Sequence, residues 1–221
     1  MSSPEHPVIA IDGPAASGKS SVAKALARQF GFAFVGSGAL YRALSWGLLE
    51  MKVDVADEAA VRAAYPWAGL SAGLENGFSW VAIHDRRLVD ELESAEVNAA
   101  VSAVSKVPEL REFVVARLRA FREAGPLVME GRDIASVVFP GTPWKFFIDA
   151  SAEVRQRRRT AQGQRDSVTD RDRIDSSRRS APLRLVDDAV VVDSSHLGID
   201  EVVAAILENL RQRQAPFALP A

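Results

Sequence analysis

Apolar and polar positions alternate along this chain in blocks of two kinds. Val8-Ile9-Ala10-Ile11-Asp12 is a near-continuous apolar run stopped by Gly13-Pro14, the pattern of a strand buried on both faces. From Lys19 to Phe30 the period lengthens, placing Val22, Leu26 and Phe30 on one face, and Gly31 ends the predicted helix. Phe32-Ala33-Phe34-Val35 predicts a second strand, and Ser37 is placed to cap a helix reaching about Met51. A short helix follows from Glu58 to Tyr65. Helices are expected at Glu93 to Val107 and, starting on Pro108, to Glu123. Leu127 to Glu130, Trp144 to Asp149 and Ala189 to Asp193 predict the third, fourth and fifth core strands. Ser151 caps a helix over 151–163, residues 164–171 read as a polar loop, and further helices cover Asp172 to Ser180 and Ile199 to Gln212. The tail from Pro216 reads as loose.

One stretch breaks the alternation. Residues 69–91 carry Asn76-Gly77 between alternating residues, the strongest two-residue hairpin signal, with Phe78, Trp80, Ala82 and His84 on one face and a second turn at Asp85-Arg86-Arg87. The prediction is an α/β protein: a five-stranded parallel sheet with helices on both faces, carrying a small antiparallel insert.

Composition narrows the class. The chain has 221 residues, 48% apolar and 25% charged, as soluble globular domains do. No apolar run reaches the ~18–20 residues of a membrane-spanning helix, and the N-terminus lacks the regions of a signal peptide. A cytoplasmic protein without membrane attachment is expected. Zero cysteines exclude disulfides and thiolate chemistry, and three scattered histidines argue against zinc. The net charge of −2 argues against a nucleic-acid binder. Of 27 cations 22 are Arg, and residues 151–184 hold ten Arg and five acids. Guanidinium forks in that density suit a small phosphate ligand.

Gly13-Pro14-Ala15-Ala16-Ser17-Gly18-Lys19-Ser20 matches G-x-x-x-x-G-K-[ST] in full, after a predicted strand and before a predicted helix. The glycines let backbone amides turn onto phosphate oxygens, and the helix start adds its positive dipole end. Lys19 is the candidate to neutralise the β- and γ-phosphates and Ser20 to ligate Mg²⁺, with Ser21 beside them. None of the three asparagines precedes a lysine, so the N-K-x-D signature of guanine-selective GTPases is missing. An ATP-using enzyme remains. Downstream, Ser37 and Arg42 open the second helix, Ser102 and Arg111 flank the start of the Pro108 helix, Arg132 and Asp133 follow a core strand, and Arg171, Asp175 and Arg178 fall on one helix face. With a P-loop, they suggest a second, phosphate-bearing substrate.

These pieces resemble the bacterial-type cytidylate kinase family from residue 8 to about 210. The carriers are Ile11 to Ser20, Ser37-Gly38-Ala39-Leu40-Tyr41-Arg42, Gly131-Arg132-Asp133-Ile134-Ala135-Ser136-Val137-Val138-Phe139-Pro140, Lys145 to Ser151 and Arg171-Asp172-Arg173-Ile174-Asp175-Ser176. The resemblance implies a P-loop nucleoside monophosphate kinase-like fold divided into core (1–65), monophosphate-binding insert (66–108), core (109–154), lid (155–184) and core (185–221). It implies transfer of the γ-phosphoryl of ATP, with Mg²⁺, to CMP or dCMP. Lys19, Arg132, Arg171 and Arg178 would act at the transfer. Arg42, Arg132 and Arg178 would hold the acceptor phosphate, with Ser37 beside them; Arg171 and Asp175 would meet the sugar; Ser102, Arg111 and Asp133 would read the cytosine. Arg158 is a candidate contact to ATP. A monomer without a nucleic-acid or membrane partner is expected. Glu130 stands where the family often has Asp, the lid is short, and neither Glu130 nor Asp12 is given a role at the metal. Kinases of UMP, AMP or a metabolite, a non-catalytic nucleotide-binding regulator, and a nucleic-acid-binding ATPase are the competing readings.

Overall fold

The computed structural model describes residues 6–161, 163, 167–176 and 182–218, with backbone alone at 66, 67, 170 and 171. In chain order the elements are β1 (Val8–Asp12), α1 (Lys19–Phe30), β2 (Ala33–Gly36), α2 (Ser37–Glu50), α3 (Glu58–Ala64), β3 (Leu70–Glu75), β4 (Phe78–Ile83), β5 (Arg86–Arg87), α4 (Ala95–Val104) and α5 (Pro108–Ala120). They continue with β6 (Leu127–Gly131), β7 (Trp144–Asp149), α6 (Ala152–Ala161), α7 (Val168–Ser176), β8 (Val190–Asp193) and α8 (Ile199–Gln212). They form two compact units, Met1–Val35 with Arg122–Ala221, and Gly36–Phe121.

The first unit carries the sheet order β2-β6-β1-β7-β8. β1 pairs in parallel with β6 and β7, and β7 with β8. Because β1 has a neighbour on each side, all five of its residues are buried. Helix α1 packs on β6 and on α8. Helix α8 starts on Gly198, whose N–H donates to the Glu201 carboxylate at 2.7 Å.

The second unit is helical around a hairpin. Leu40, Leu44 and Leu48 of α2 are buried with Val97 and Val104 of α4 and Leu110, Val114 and Leu118 of α5. Asp57 caps α3 by accepting from the N–H groups of Ala59 and Ala60, a cap worth about 1 kcal/mol. β3 and β4 pair antiparallel around Asn76 and Gly77 at φ 51° and 78°, the left-handed pair a tight hairpin turn needs.

Several local expectations shift. Gly36, not Ser37, is the residue before α2, and Ser37 is its buried first residue without a side-chain cap bond. His84 leaves β4 for the turn, with φ 45°, and is exposed, so the expected Phe78–His84 face stops at Ala82. Helix α7 starts at Val168, taking in part of the expected loop; Gln156 on α6 accepts the Val168 N–H at 3.1 Å, a tertiary bond that helix propensity does not register. The described part of the tail is tied down at Phe217. Phe217 lies with ring centroids 5.4, 5.3 and 5.6 Å from Phe30, Phe32 and Trp144, contacts worth about 0.5–1.5 kcal/mol per pair. Among the described residues no helix is long and apolar enough to cross a membrane.

Candidate active site

The first unit gathers the phosphate chemistry where β1 and β6 leave the sheet. After Asp12 the chain turns through Gly13 at φ 153°, Ala16 at φ 58° and Gly18 at φ 89° before α1 begins. A Cβ on Gly13 would sit 2.0 Å from the Ile148 carbonyl oxygen. The loop therefore needs glycine both for backbone angle and for close approach to β7. The start of α1 has no side-chain cap bond, which suits an anion-binding helix start.

Lys19 is buried and its Nζ donates to the Pro14 carbonyl at 3.0 Å, with the Glu130 carboxylate at 3.9 Å. Burial pushes the Lys19 ammonium down to about 7; the Arg132 guanidinium adds to the fall, while Glu130, Asp175 and Asp12 oppose it. Arg132 Nε donates to the buried Asp175 carboxylate at 2.8 Å, so α7 is joined to the end of β6. Asp133 is buried immediately after Arg132. Asp12 is buried too, its oxygens accepting from the N–H groups of Ile134 at 2.9 Å and Ala135 at 2.8 Å. Burial pushes the Asp12 carboxyl up to about 7 against these two bonds, with Asp133 adding to the rise.

Two arginines of α6 brace the P-loop from outside. Arg158 Nη1 donates to the Ser17 carbonyl at 3.4 Å and the Ser194 hydroxyl at 3.0 Å, and Nη2 to the Ser194 carbonyl at 2.7 Å. The Ser194 hydroxyl lies 2.9 Å from the Ser17 carbonyl. Arg155 Nε donates to the Ala150 carbonyl, Nη1 donates to the Ala15 carbonyl at 3.4 Å, and the guanidinium pairs with Asp172 at 2.6 Å. Sequence reasoning named Arg158 but missed Arg155 and Ser194. Arg155 was legible as the residue one turn before Arg158 on the same face; Ser194 carried no local signal.

In the second unit, Arg42 Nη1 donates to Asn98 Oδ1 at 2.6 Å and to the Leu92 carbonyl at 3.1 Å, with Glu93 at 3.8 Å. Asn98 turns its amide onto the Glu93 and Ser94 carbonyls, both at 2.9 Å, which fixes the oxygen that meets Arg42. The buried Arg111 donates to the Ser105 carbonyl at 3.1 Å, and its guanidinium lies 5.3 Å from the ring centre of Tyr41, next to Arg42. The Ser102 carbonyl accepts from the Ser105 hydroxyl at 3.2 Å. Asn98 was not singled out from sequence, and Tyr41 only as part of the Ser37–Arg42 stretch, without a role of its own. Ser20 is partly exposed and Ser21 exposed on the first turn of α1. The Arg171 side chain and all of Arg178 lie outside the described residues.

A P-loop on a parallel sheet, a buried lysine inside it and a guanidinium–carboxylate pair at the neighbouring strand end define a nucleotide-binding phosphotransferase. Comparison with known proteins carries this further. The sequence profile of the cytidylate kinase family matches residues 9–212. The cytidylate kinase of Geobacillus thermodenitrificans is 40% identical over 216 residues, covering 93% of this chain and 96% of that protein. The cytidylate kinase of Rhodococcus opacus is 41% identical over 221 residues, covering 93% and 95%, and that of Pseudomonas paraeruginosa 37% identical over 220 residues, covering 94% and 96%. The chain belongs to the cytidylate kinase family.

Proposed function

We propose that this chain transfers the γ-phosphoryl group of ATP to CMP or dCMP, giving ADP and CDP or dCDP. The observation that carries the reading is the buried Asp133 next to Arg132, in the same unit as the P-loop Lys19. The Asp133 carboxylate accepts a hydrogen bond from the amino group of cytosine and repels the carbonyl that uracil has in its place; leaving such groups unpaired costs about 1–3 kcal/mol. Arg111, with Ser102, reads the rest of the pyrimidine edge. By the family match Arg42, Arg132 and Arg178 hold the acceptor phosphate, and Ser37 is a further substrate-binding residue. Arg171 and Asp175 meet the sugar.

In the transfer, an oxygen of the acceptor phosphate attacks the γ-phosphorus. The bond to the β–γ bridging oxygen breaks, and that oxygen leaves with ADP. Positioning and charge neutralisation do the work. Lys19 regains a full charge once anionic phosphates enter its pocket. The backbone N–H groups of residues 13–21 receive the donor phosphates. Arg158 and Arg155 hold that loop's carbonyls, and Arg158 is the candidate side chain to contact ATP. The lid role, closing over the reacting groups and excluding water, is assigned to segment 155–184, of which 162, 164–166 and 177–181 lie outside the described residues; Arg155 and Arg158 of α6 bond P-loop carbonyls and Asp175 bonds Arg132.

Ser20 offers a single hydroxyl, and no group of three or more His, Cys, Asp and Glu is placed to hold a metal among the described residues. That donor set fits Mg²⁺, which keeps most of its ligands as substrate phosphates and water. Ser20 would hold it, and it would supply charge neutralisation at the phosphates.

The test is ADP release from ATP and Mg²⁺ with CMP, dCMP, UMP and AMP supplied in parallel. Turnover is expected with CMP and dCMP and little with the others; preferred turnover of UMP or AMP overturns the acceptor assignment. Asp133→Ala is expected to cut the CMP-over-UMP preference by about 10- to 100-fold.

A further inference from the structure

Asp12 has no assigned part in the reaction, yet its side chain is among the most enclosed polar groups of the chain, 2% exposed. It is the last residue of β1, and strand register sets it opposite Gly131, the last residue of β6. From there its carboxylate crosses to the neighbouring strand's exit and takes the N–H groups of Ile134 and Ala135, 122 and 123 residues away. Those donors open the five-residue turn Ile134–Val138, in which Val137 and Val138 donate to the Asp133 carbonyl at 2.8 and 3.1 Å and Phe139 donates to the Ile134 carbonyl at 2.8 Å. Wide turns of this kind are rare and cluster at functional sites. Arg132 and Asp133 stand immediately before it.

We propose that Asp12 is a positioning residue for acceptor recognition: its two hydrogen bonds fix the turn that aims Arg132 and Asp133. The inference rests on the reading of Arg132 and Asp133 as acceptor residues. Without the two bonds, two buried donors lose their partners and the turn moves to recover them. The donor side is insulated from such a shift. The Asp12 backbone is held in ladders with both β6 and β7, and the P-loop carbonyls are held separately by Ser194, Arg155 and Arg158. An Asp12 substitution therefore leaves the P-loop backbone in place and acts more on the acceptor than on ATP, which it reaches only through its charge near Lys19.

The deciding variant is Asp12→Asn, which keeps the shape but offers one acceptor oxygen and turns an NH2 toward the second N–H; Asp12→Ala removes both acceptors. Steady-state constants are measured for CMP, UMP and ATP, with thermal unfolding to confirm a folded enzyme. The expected result for Asp12→Asn is a KM for CMP raised about 10-fold and a reduced CMP-over-UMP preference, with the KM for ATP within about twofold of the parent. Asp12→Ala goes further in the same direction. Equal rises in both KM values, or a lowered melting temperature with unchanged CMP constants and preference, overturn the proposal by making Asp12 a structural residue only. Should neither variant fold, NMR of the unmodified protein decides: CMP must move the Ile134 and Ala135 amide signals more than ATP does, and the reverse overturns it. Asp133→Ala is measured alongside. If it leaves the CMP-over-UMP preference intact, the base-reading assignment has failed by itself; if it collapses the preference while the Asp12 variants keep it, only the positioning proposal has failed.

Discussion

Two strands paired side by side, β1 and β6, leave the sheet through irregular turns that satisfy their backbones in opposite ways. After β1 the chain uses glycine and left-handed angles, and α1 starts without a side-chain cap. After β6 the turn takes two of its N–H groups to the carboxylate of Asp12, supplied by the other strand. On the proposed reading, one turn presents its backbone to a phosphate. The other closes its backbone with a protein carboxylate and presents side chains, Arg132 and Asp133. Backbone donors suit an anion common to all nucleotides; side chains suit the part of a substrate that must be told apart. Generality and selectivity are thus separated by one hydrogen-bond exchange at adjacent strand ends.

The comparison breaks most completely at Gly13. Gly13→Ala puts a methyl group 2.0 Å from the Ile148 carbonyl at a backbone angle that L-residues rarely adopt. Loss of ATP binding and destabilisation by several kcal/mol are expected, read by calorimetric titration and thermal unfolding. A folded variant with normal ATP affinity would show that the first turn tolerates a side chain after all. Next comes Lys19→Ala. It removes the one cation inside the P-loop, and turnover with CMP and dCMP alike is expected to fall about 10³-fold, followed by ADP release. A loss confined to one acceptor would move Lys19 to the selective side.

The third effect is one of pH. Asp12 is pushed from the ordinary 3.8 up to about 7, so the folded chain holds this proton more tightly than the unfolded chain does. Its contribution to stability is full below about pH 4 and is lost as pH rises through about 7. The stability difference between the parent and Asp12→Asn should shrink by on the order of a few kcal/mol between pH 4 and 8, measured by urea unfolding. A difference that widens with pH would mean that the two backbone bonds outweigh burial. The smallest effect is expected at Ser194→Ala. The Ser17 carbonyl loses one of its two donors but keeps Arg158, at a cost of about 1–2 kcal/mol in stability and a modest rise in the KM for ATP.

What the sequence by itself determined is local. Runs such as Val8–Asp12 and Trp144–Asp149, the helix period of Ile199–Gln212 and the Asn76-Gly77 turn depend on residues a few places apart, so their elements and the mostly parallel sheet were legible, but not the order of its strands. The P-loop was legible for the same reason: eight consecutive residues specify a turn, a lysine and a helix start. The family motif likewise marked Arg132 and Asp133. Only the tertiary structure decided who holds these residues. Asp12 reaches Ile134, Ser194 reaches Ser17, Asn98 orients Arg42 and Phe217 closes on Phe30 and Trp144 across separations of 56 to 187 residues. Each pairing exists because the folded sheet or helix pack brings a buried polar atom or an apolar ring against a partner that must satisfy it, and nothing in the spacing along the chain announces which partner that is.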